Sequence, residues 1–193
     1  GLGDVYKRQY INRTGKRAEA FVLMLNYLNE NTNPLIIETG CARKEDNFDG
    51  DGMSTLIFDS YITERGCGEF HSVDISQENV DFANSRISNP NAKVHCSDSV
   101  IFLHGVSQDC RTQNRHIDLL YLDSFDFDPQ NPHPSSQHHI YELTAAMPAL
   151  QPGSLIAVDD NFDSIGKGAY VKEFMDLLGK PRVYTGYQWV WIL

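Results

Sequence analysis

Acidic and amide side chains recur in this chain where short apolar runs stop. IIETG (36–40) closes on Glu38, Thr39 and Gly40, and SVDIS (72–76) carries Asp74. CSDS (96–99) leads to Asp98 and Ser99, DLLYLDS (118–124) reaches Asp123, and IAVDDN (156–161) ends in Asp159, Asp160 and Asn161. A carboxylate after an apolar strand can accept both hydroxyls of a ribose. Asp74, about twenty residues beyond a glycine-rich loop, is the candidate for that role, and a helix-cap neighbour is the alternative. Two carboxylates and an amide oxygen on adjacent strand ends make a half-shell of hard oxygen ligands. That shell suits Mg²⁺, which keeps several waters, so Asp123, Asp160 and Asn161 are candidate metal ligands. Asp159 competes with Asp160 for the place, because neighbouring strand residues face opposite ways.

These groups converge only if the apolar runs are parallel strands of one sheet. PLIIE, opened by Pro34, reads as a buried parallel strand, and further strands are expected over Glu69–Ile75, Lys93–Cys96, Ile117–Leu122 and Leu155–Val158. Helices are expected between them, over Met53–Arg65, Gln77–Ile87 capped by Ser76, Ser99–Val106 and about Ser136–Leu150, with Arg17–Leu28 ahead of the first strand and Tyr170–Leu178 after the last. Such alternation predicts a mainly parallel sheet with helices on both faces. Arg182–Thr185 and Gln188–Leu193, turning at Gly186, have no helix between them. They must pair as a hairpin, which makes one of them antiparallel. Ligands of open α/β sheets bind at the carboxyl ends of the strands, where the acidic residues fall.

The loop after the first strand narrows the ligand. A dinucleotide fingerprint needs G-x-G-x-x-G directly between strand and helix. Only Gly40 follows the strand closely; Gly50 and Gly52 come after an acidic insertion, 42–51, which we read as a lid or a plain surface loop. Gly52-Met53-Ser54-Thr55 enters the helix, and its first turn could hold a ligand carboxylate. Asn47, Asp49, Asp51 and Gly52 imitate half of a calcium loop, but Phe58 stands where the bidentate Glu belongs, which excludes that reading. Among His133, His138 and His139, His138 is a candidate general base; solvated polar residues are the alternative.

Composition bounds the function classes. The 193 residues hold 16 Lys and Arg against 26 Asp and Glu, a net charge of −10 that argues against a nucleic-acid partner. No apolar run approaches the length of a membrane span. Cys41, Cys67, Cys96 and Cys110 form no C-x-x-C pair and read as buried free thiols of a cytoplasmic protein. The first nine residues, GLGDVYKRQ, resemble the in-frame translation of a sequencing-library adapter. On that reading 1–9 is a non-native segment and 10–193 is a single, N-terminally truncated domain.

The five motifs, in this order, resemble those of class I S-adenosylmethionine-dependent methyltransferases over roughly 35–193. The resemblance implies a Rossmann-like methyltransferase fold, with a seven-stranded sheet whose last hairpin is antiparallel. Within that class the likeness is to metal-dependent O-methyltransferases of the catechol type. It implies Asp123, Asp160 and Asn161 on one Mg²⁺, Asp74 on the ribose, Ser54 on the methionine carboxylate, Asp98 beside the adenine, and Gly40 allowing close backbone approach. Glu38, Gly52 and Ser99 complete the expected cofactor set, and the expected acceptor is a hydroxylated small molecule. The chain departs from the family in a longer first loop and in Asp126, which stands where the family has a catalytic Lys. Asp123, Asp126 and His138 are therefore the expected catalytic residues. A metal-independent methyltransferase and a non-catalytic nucleotide-binding module are the alternative functions.

Overall fold

A computed structural model describes residues 10–163 and 165–193; the segment 1–9, and with it the adapter expectation, lies outside the described residues. In chain order the elements are α1 (Ala18–Leu28), β1 (Leu35–Thr39), α2 (Ser54–Arg65), β2 (Glu69–Asp74), α3 (Gln77–Arg86), β3 (Ala92–Cys96), α4 (Ser99–Gln113), β4 (Leu119–Leu122), α5 (His133–Ala146), β5 (Leu155–Val158), β6 (Asn161–Phe162), β7 (Ile165–Gly166), α6 (Ala169–Leu177), β8 (Arg182–Thr185) and β9 (Trp189–Ile192). The main sheet has seven strands in the order β3-β2-β1-β4-β5-β9-β8. β1 to β5 pair in parallel, while β9 runs antiparallel to both β5 and β8. The Rossmann-like methyltransferase fold expected from the sequence is the fold observed.

Several boundaries differ from expectation for local reasons. α4 continues past Val106 to Gln113, because its last two turns are amphipathic: Cys110 and Ser107 are buried while their neighbours face water. α5 starts at His133, with Pro134 in its first turn, and yields to a 3₁₀ turn at Met147–Ala149 around Pro148. α2 starts one residue later than expected, with Met53 in the left-handed region at its N-cap. The β6–β7 hairpin was not expected at all; two-residue strands leave no periodicity to read.

Strand alternation divides the core in two. Ile36, Phe70, Tyr121, Ala157 and Val190 face α1 and α2, where Tyr121 packs against Phe21 and Phe58 with ring centroids 5.7 and 5.4 Å away. Ile37, Leu120, Leu122, Ile156 and Trp191 face α4, α5 and α6. The carboxyl end of β1 is tied to both layers. Glu38, fully buried, accepts hydrogen bonds from Ser54 Oγ (2.5 Å) and Thr55 Oγ1 (2.7 Å) of α2 and from Ser72 Oγ (2.6 Å) of β2. Burial nevertheless pushes its carboxyl up to about 7. Thr39, on the opposite face, donates to Glu142 of α5 at 3.1 Å. Ser124, just after β4, donates to the same carboxylate at 2.5 Å. Two buried glutamates thus fix a helix on each side of the strand end.

α5 carries a second buried titrating group. His139 has no exposed surface and donates through Nδ1 to the Ser135 carbonyl at 2.7 Å. Burial pushes it down to about 4. An unfolded histidine titrates near 6.5, so folding expels its proton as pH falls below that value. Its contribution to stability is whole above about pH 6.5 and is lost as pH falls towards 4, at up to about 1.4 kcal/mol per pH unit. Urea unfolding at about pH 7 and about pH 5 should show this loss in the wild type and a smaller one in His139→Phe. Equal pH dependence of the two chains would rule the account out.

Candidate functional site

Gly40 opens the site. It follows β1 with φ +77°, and a Cβ there would lie 2.5 Å from the Asp123 carbonyl oxygen, so only glycine lets the ends of β1 and β4 meet. Above this turn runs a crevice of three adjoining compartments. A central cleft of ≈ 210 Å³ is bordered by Gly40, Arg43, Asp74, Asp123, Asp160 and Lys167. On one side it shares Asp74, Ile75 and Ser124 with a slot of ≈ 330 Å³ that also has Asp98, Phe125 and His138 in its walls. On the other it shares Gly50, Asp126 and Asp160 with a wider chamber of ≈ 570 Å³ walled by Phe127, Phe162, Ile165 and Tyr187. Ile75 is 77 % exposed and Phe125 44 % exposed, so the slot offers apolar faces that the protein itself leaves open.

The structure brings Asp74, Asp98, Ser99 and His138 to the slot. Asp74 accepts from Ser76 N–H (2.8 Å) and Asn79 Nδ2 (3.2 Å) through one oxygen, and from Cys41 N–H through the other at 3.4 Å. It is therefore oriented towards the cleft and retains lone pairs for a ligand. Asp98 caps α4 by accepting from Ile101 N–H at 3.0 Å. Ser99 Oγ lies 2.9 Å from His138 Nε2, whose pKa is raised mainly by its hydrogen bond to the buried Glu142.

Three of the expected cofactor contacts are not formed as supposed. Glu38 lies beneath the site, with both oxygens taken by hydroxyls. Ser54 borders the cleft but spends its proton on Glu38, so its hydroxyl is not a donor for a ligand carboxylate. Gly52 faces the Arg17 side chain, with Cδ 2.8 Å from where a Cβ would be. Of the expected catalytic groups, Asp126 stands at the rim, 81 % exposed, beside Arg43 at 3.4 Å. His138 stands in the slot, away from the outer chamber. The insertion 42–51 is anchored: Asp51 binds the Arg43 backbone and guanidinium at 3.0 Å, and Phe48 is buried with Met53 and Leu56.

The metal half-shell requires a correction. Asp123 and Asp160 do converge, but on the ammonium of Lys167, whose Nζ lies 2.5 Å from Asp123 Oδ1 and 2.9 Å from Asp160 Oδ2. Asn161 is turned into the backbone: its Oδ1 accepts from Gly168 N–H at 2.8 Å and its Nδ2 donates to the Val158 carbonyl at 2.8 Å. The donor set therefore does not fit a divalent ion; a cation fills the gap between the carboxylates and the third ligand faces elsewhere. Among the described residues no group of three or more His, Cys, Asp and Glu side chains is placed to hold a metal.

Asp159 and Asp160 part company because the strand stops between them. β5 ends at Val158, and Asp160 takes a left-handed φ of +53°, a strained conformation for a non-glycine residue. Asp159, fully buried, turns to Arg17 Nε at 2.7 Å, and Asp160 Oδ1 meets Arg17 Nη2 at 3.1 Å. Burial and the neighbouring Asp159 and Asp160 push the Asp123 carboxyl up against the pull of Lys167. Asp160 is held below the usual range by Lys167, Tyr187 and Arg17, despite its own burial. Arg17, Arg43, Lys167 and Tyr187 are the residues of this site that sequence reasoning missed.

A family model described as a methyltransferase domain matches residues 50–161, more than half of the chain and most of the crevice wall. Comparison with curated proteins gives no significant match. Solved structures share the fold at low identity. NSun6 from Pyrococcus horikoshii, determined with SFG, is 11 % identical, with a TM-score of 0.58 over 89 % of this chain and 50 % of its own. This chain thus spans half the length of that protein. Human methyltransferase-like protein 13, in complex with SAH, is 13 % identical, with a TM-score of 0.55 over 91 % and 80 % of the two chains. Precorrin-6y C5,15-methyltransferase from Geobacter metallireducens is 10 % identical, with a TM-score of 0.52 over 91 % and 86 %. A matched segment that begins in the loop after β1 and ends at the acidic terminus of β5 takes in the crevice ends of β2 to β5, and on that match the chain belongs to the methyltransferase-domain family.

Proposed function

We propose that the crevice binds S-adenosylmethionine and that the protein transfers its methyl group to a hydroxyl of a small molecule. The observation that carries this reading is the charge of the crevice. Asp74, Asp98, Asp123, Asp126 and Asp160 border it against Arg43 and Lys167. An acidic, low-dielectric cleft attracts a cationic sulfonium and repels a pyrophosphate. The residues fit the cofactor: Asp74 would take the ribose hydroxyls, the open faces of Ile75 and Phe125 the adenine, and the bare backbone at Gly40 the amino-acid portion, with Arg43 at hand for its carboxylate. Bound there, the cofactor supplies an electrophilic methyl group, and its sulfur keeps the electron pair of the broken bond.

The protein's part is to place the acceptor and remove its proton. Asp123 stands in the central cleft with Oδ1 held by Lys167, and its Oδ2 has no hydrogen-bond partner among the described residues. Burial raises its proton affinity, the direction that a group taking up a proton from the acceptor requires. We assign it the proton of the attacking hydroxyl. The chamber walled by Phe127, Phe162 and Tyr187 is the acceptor site in this reading, and its size and apolar walls suit a drug-sized molecule. Fixed positions of acceptor and cofactor supply much of the rate in such a transfer. The net charge of −10 opposes a nucleic-acid acceptor here.

Titration calorimetry should show S-adenosylmethionine binding that weakens by about 1–3 kcal/mol in Asp74→Ala, the cost of a lost hydrogen bond to a charged group. Unchanged affinity in the variant, or tighter binding of NAD than of S-adenosylmethionine, would overturn the cofactor assignment. With methyl-labelled cofactor and a cell extract, label should pass to the low-molecular-weight fraction, and Phe162→Ala should reduce that transfer while leaving cofactor affinity within about twofold. Label in RNA would overturn the acceptor class.

A further inference from the structure

Lys167 is among the largest fully buried side chains of the protein and is only 1 % exposed. A buried ammonium is costly unless paired and hydrogen-bonded. Its three protons have three acceptors: Asp123 Oδ1, Asp160 Oδ2 and, at 3.4 Å, the Asp123 carbonyl. Those carboxylates raise its pKa against the opposing effect of burial, so it stays charged.

The backbone is built to deliver it. Lys167 N–H donates to the Asp160 carbonyl at 3.2 Å, closing the β6–β7 hairpin over the carboxylate that the side chain then reaches. The flanking residues must be glycine. A Cβ on Gly166, where φ is +151°, would lie 2.5 Å from Asn161 Cα, and one on Gly168 would lie 2.8 Å from Asn161 Oδ1. The same packing sets the Asn161 amide on Gly168 N–H. One short segment thus places the lysine and withdraws the third oxygen.

We propose that Lys167 is a resident cation that takes the place of a divalent ion between Asp123 and Asp160, so that the site operates without metal, and that it is the positioning residue for Asp123. The second half of this proposal rests on the methyltransferase reading; the first half does not. Asp123 borders the central cleft and Asp160 borders both the cleft and the outer chamber, so the ammonium joins the two compartments through one salt-bridged unit. Its role is to hold one oxygen of Asp123 and leave the other to the acceptor, and it contributes no proton of its own.

The test is a titration of the full chain with Mn²⁺ alone, read by electron paramagnetic resonance, for the wild type, Lys167→Ala, Lys167→Met and Lys167→Arg. The wild type and Lys167→Arg should show no saturable site. Lys167→Ala should bind Mn²⁺ at least about tenfold more tightly than the wild type, because two facing carboxylates are left without a cation. Lys167→Met, which keeps the length of the side chain, serves if the alanine variant does not fold. Stoichiometric Mn²⁺ binding by the wild type that is lost in Asp160→Asn would overturn the proposal, and this arm needs no lysine variant. Failure of a folded, lysine-free variant to gain affinity would overturn it as well. Calorimetry with S-adenosylmethionine on the same wild-type sample separates the two readings. A chain that binds neither Mn²⁺ nor the cofactor refutes the methyltransferase site and leaves the resident cation standing.

Discussion

Arg17 and Asp159 are 142 positions apart in sequence and meet at 2.7 Å with almost no exposure of either side chain. Taking two such ions out of water costs several kcal/mol each, and their attraction repays it only with good geometry and satisfied remaining donors. Here the remaining donors are used: Nη1 and Nη2 of Arg17 reach the carbonyls of Asp49 and Gly50, and Nη2 also reaches Asp160. The guanidinium therefore fixes three things at once: the segment ahead of α1, the insertion after β1, and the terminus of β5. Removing one member of a pair of this kind typically costs about 3–5 kcal/mol, because the other is left charged and dry. The crevice depends on it, since its rim is the loop that Arg17 holds and its acidic end is the turn that Arg17 anchors.

From Arg17 the charges continue inward. Asp159, Asp160, Lys167 and Asp123 form one chain of contacts in which three carboxylates face two cations. Burial, with the neighbouring carboxylates, raises the proton affinity of Asp123 and of Asp159 but not of Asp160, which has Lys167, Tyr187 and Arg17 around it. A site of this kind is primed for a proton and for a cationic ligand, which links the stability of the β5 terminus to the chemistry assigned to the cleft. The left-handed Asp160 is the point of strain that makes the arrangement possible. It lets Asp160 border the crevice while Asp159, one residue before it, stays fully buried against Arg17.

What the sequence disclosed and what it hid follow from the range of the interactions involved. β1, β4 and β5 are buried on both faces, so LIIET, LLYL and LIAV announce themselves as continuous apolar runs. The C-terminal hairpin followed from the absence of a helix between two strand-like segments. Strand ends were legible for the same reason, and Asp74, Asp98, Asp123 and Asp160 do border the crevice. Glu38 left a signal that went unused: a charged residue inside a fully buried strand must have buried partners, and Ser54, Thr55 and Ser72 are those partners. Arg17 and Lys167 left none. A basic residue ahead of an amphipathic helix, and another between two glycines, read as solvated charges, and only the closed fold brings their carboxylates to them.

The division of labour in the crevice reflects how firmly each wall is held. The inner side is made of strand ends locked from both faces, by Glu38 to α2 and by Thr39 and Glu142 to α5, with Gly40 admitting a backbone approach that no side chain could share. The outer chamber draws instead on the β6–β7 hairpin, where Phe162 and Ile165 remain 43 % and 44 % exposed. Among the described residues two strand pairs hold that hairpin together, while Asn161 N–H also donates to the Tyr187 carbonyl at 2.8 Å, and Phe162 packs edge-on against the Tyr187 ring at 5.3 Å. Tyr187 in turn lies under the cations of Lys16 and Arg17, at 3.4 and 4.6 Å from its ring centre. The wall of the outer chamber is thus suspended from the same arginine that anchors the rest. A change at the exposed Phe162 or Ile165 would reshape the chamber without touching the strand ends, whereas a change at Arg17 would reach both.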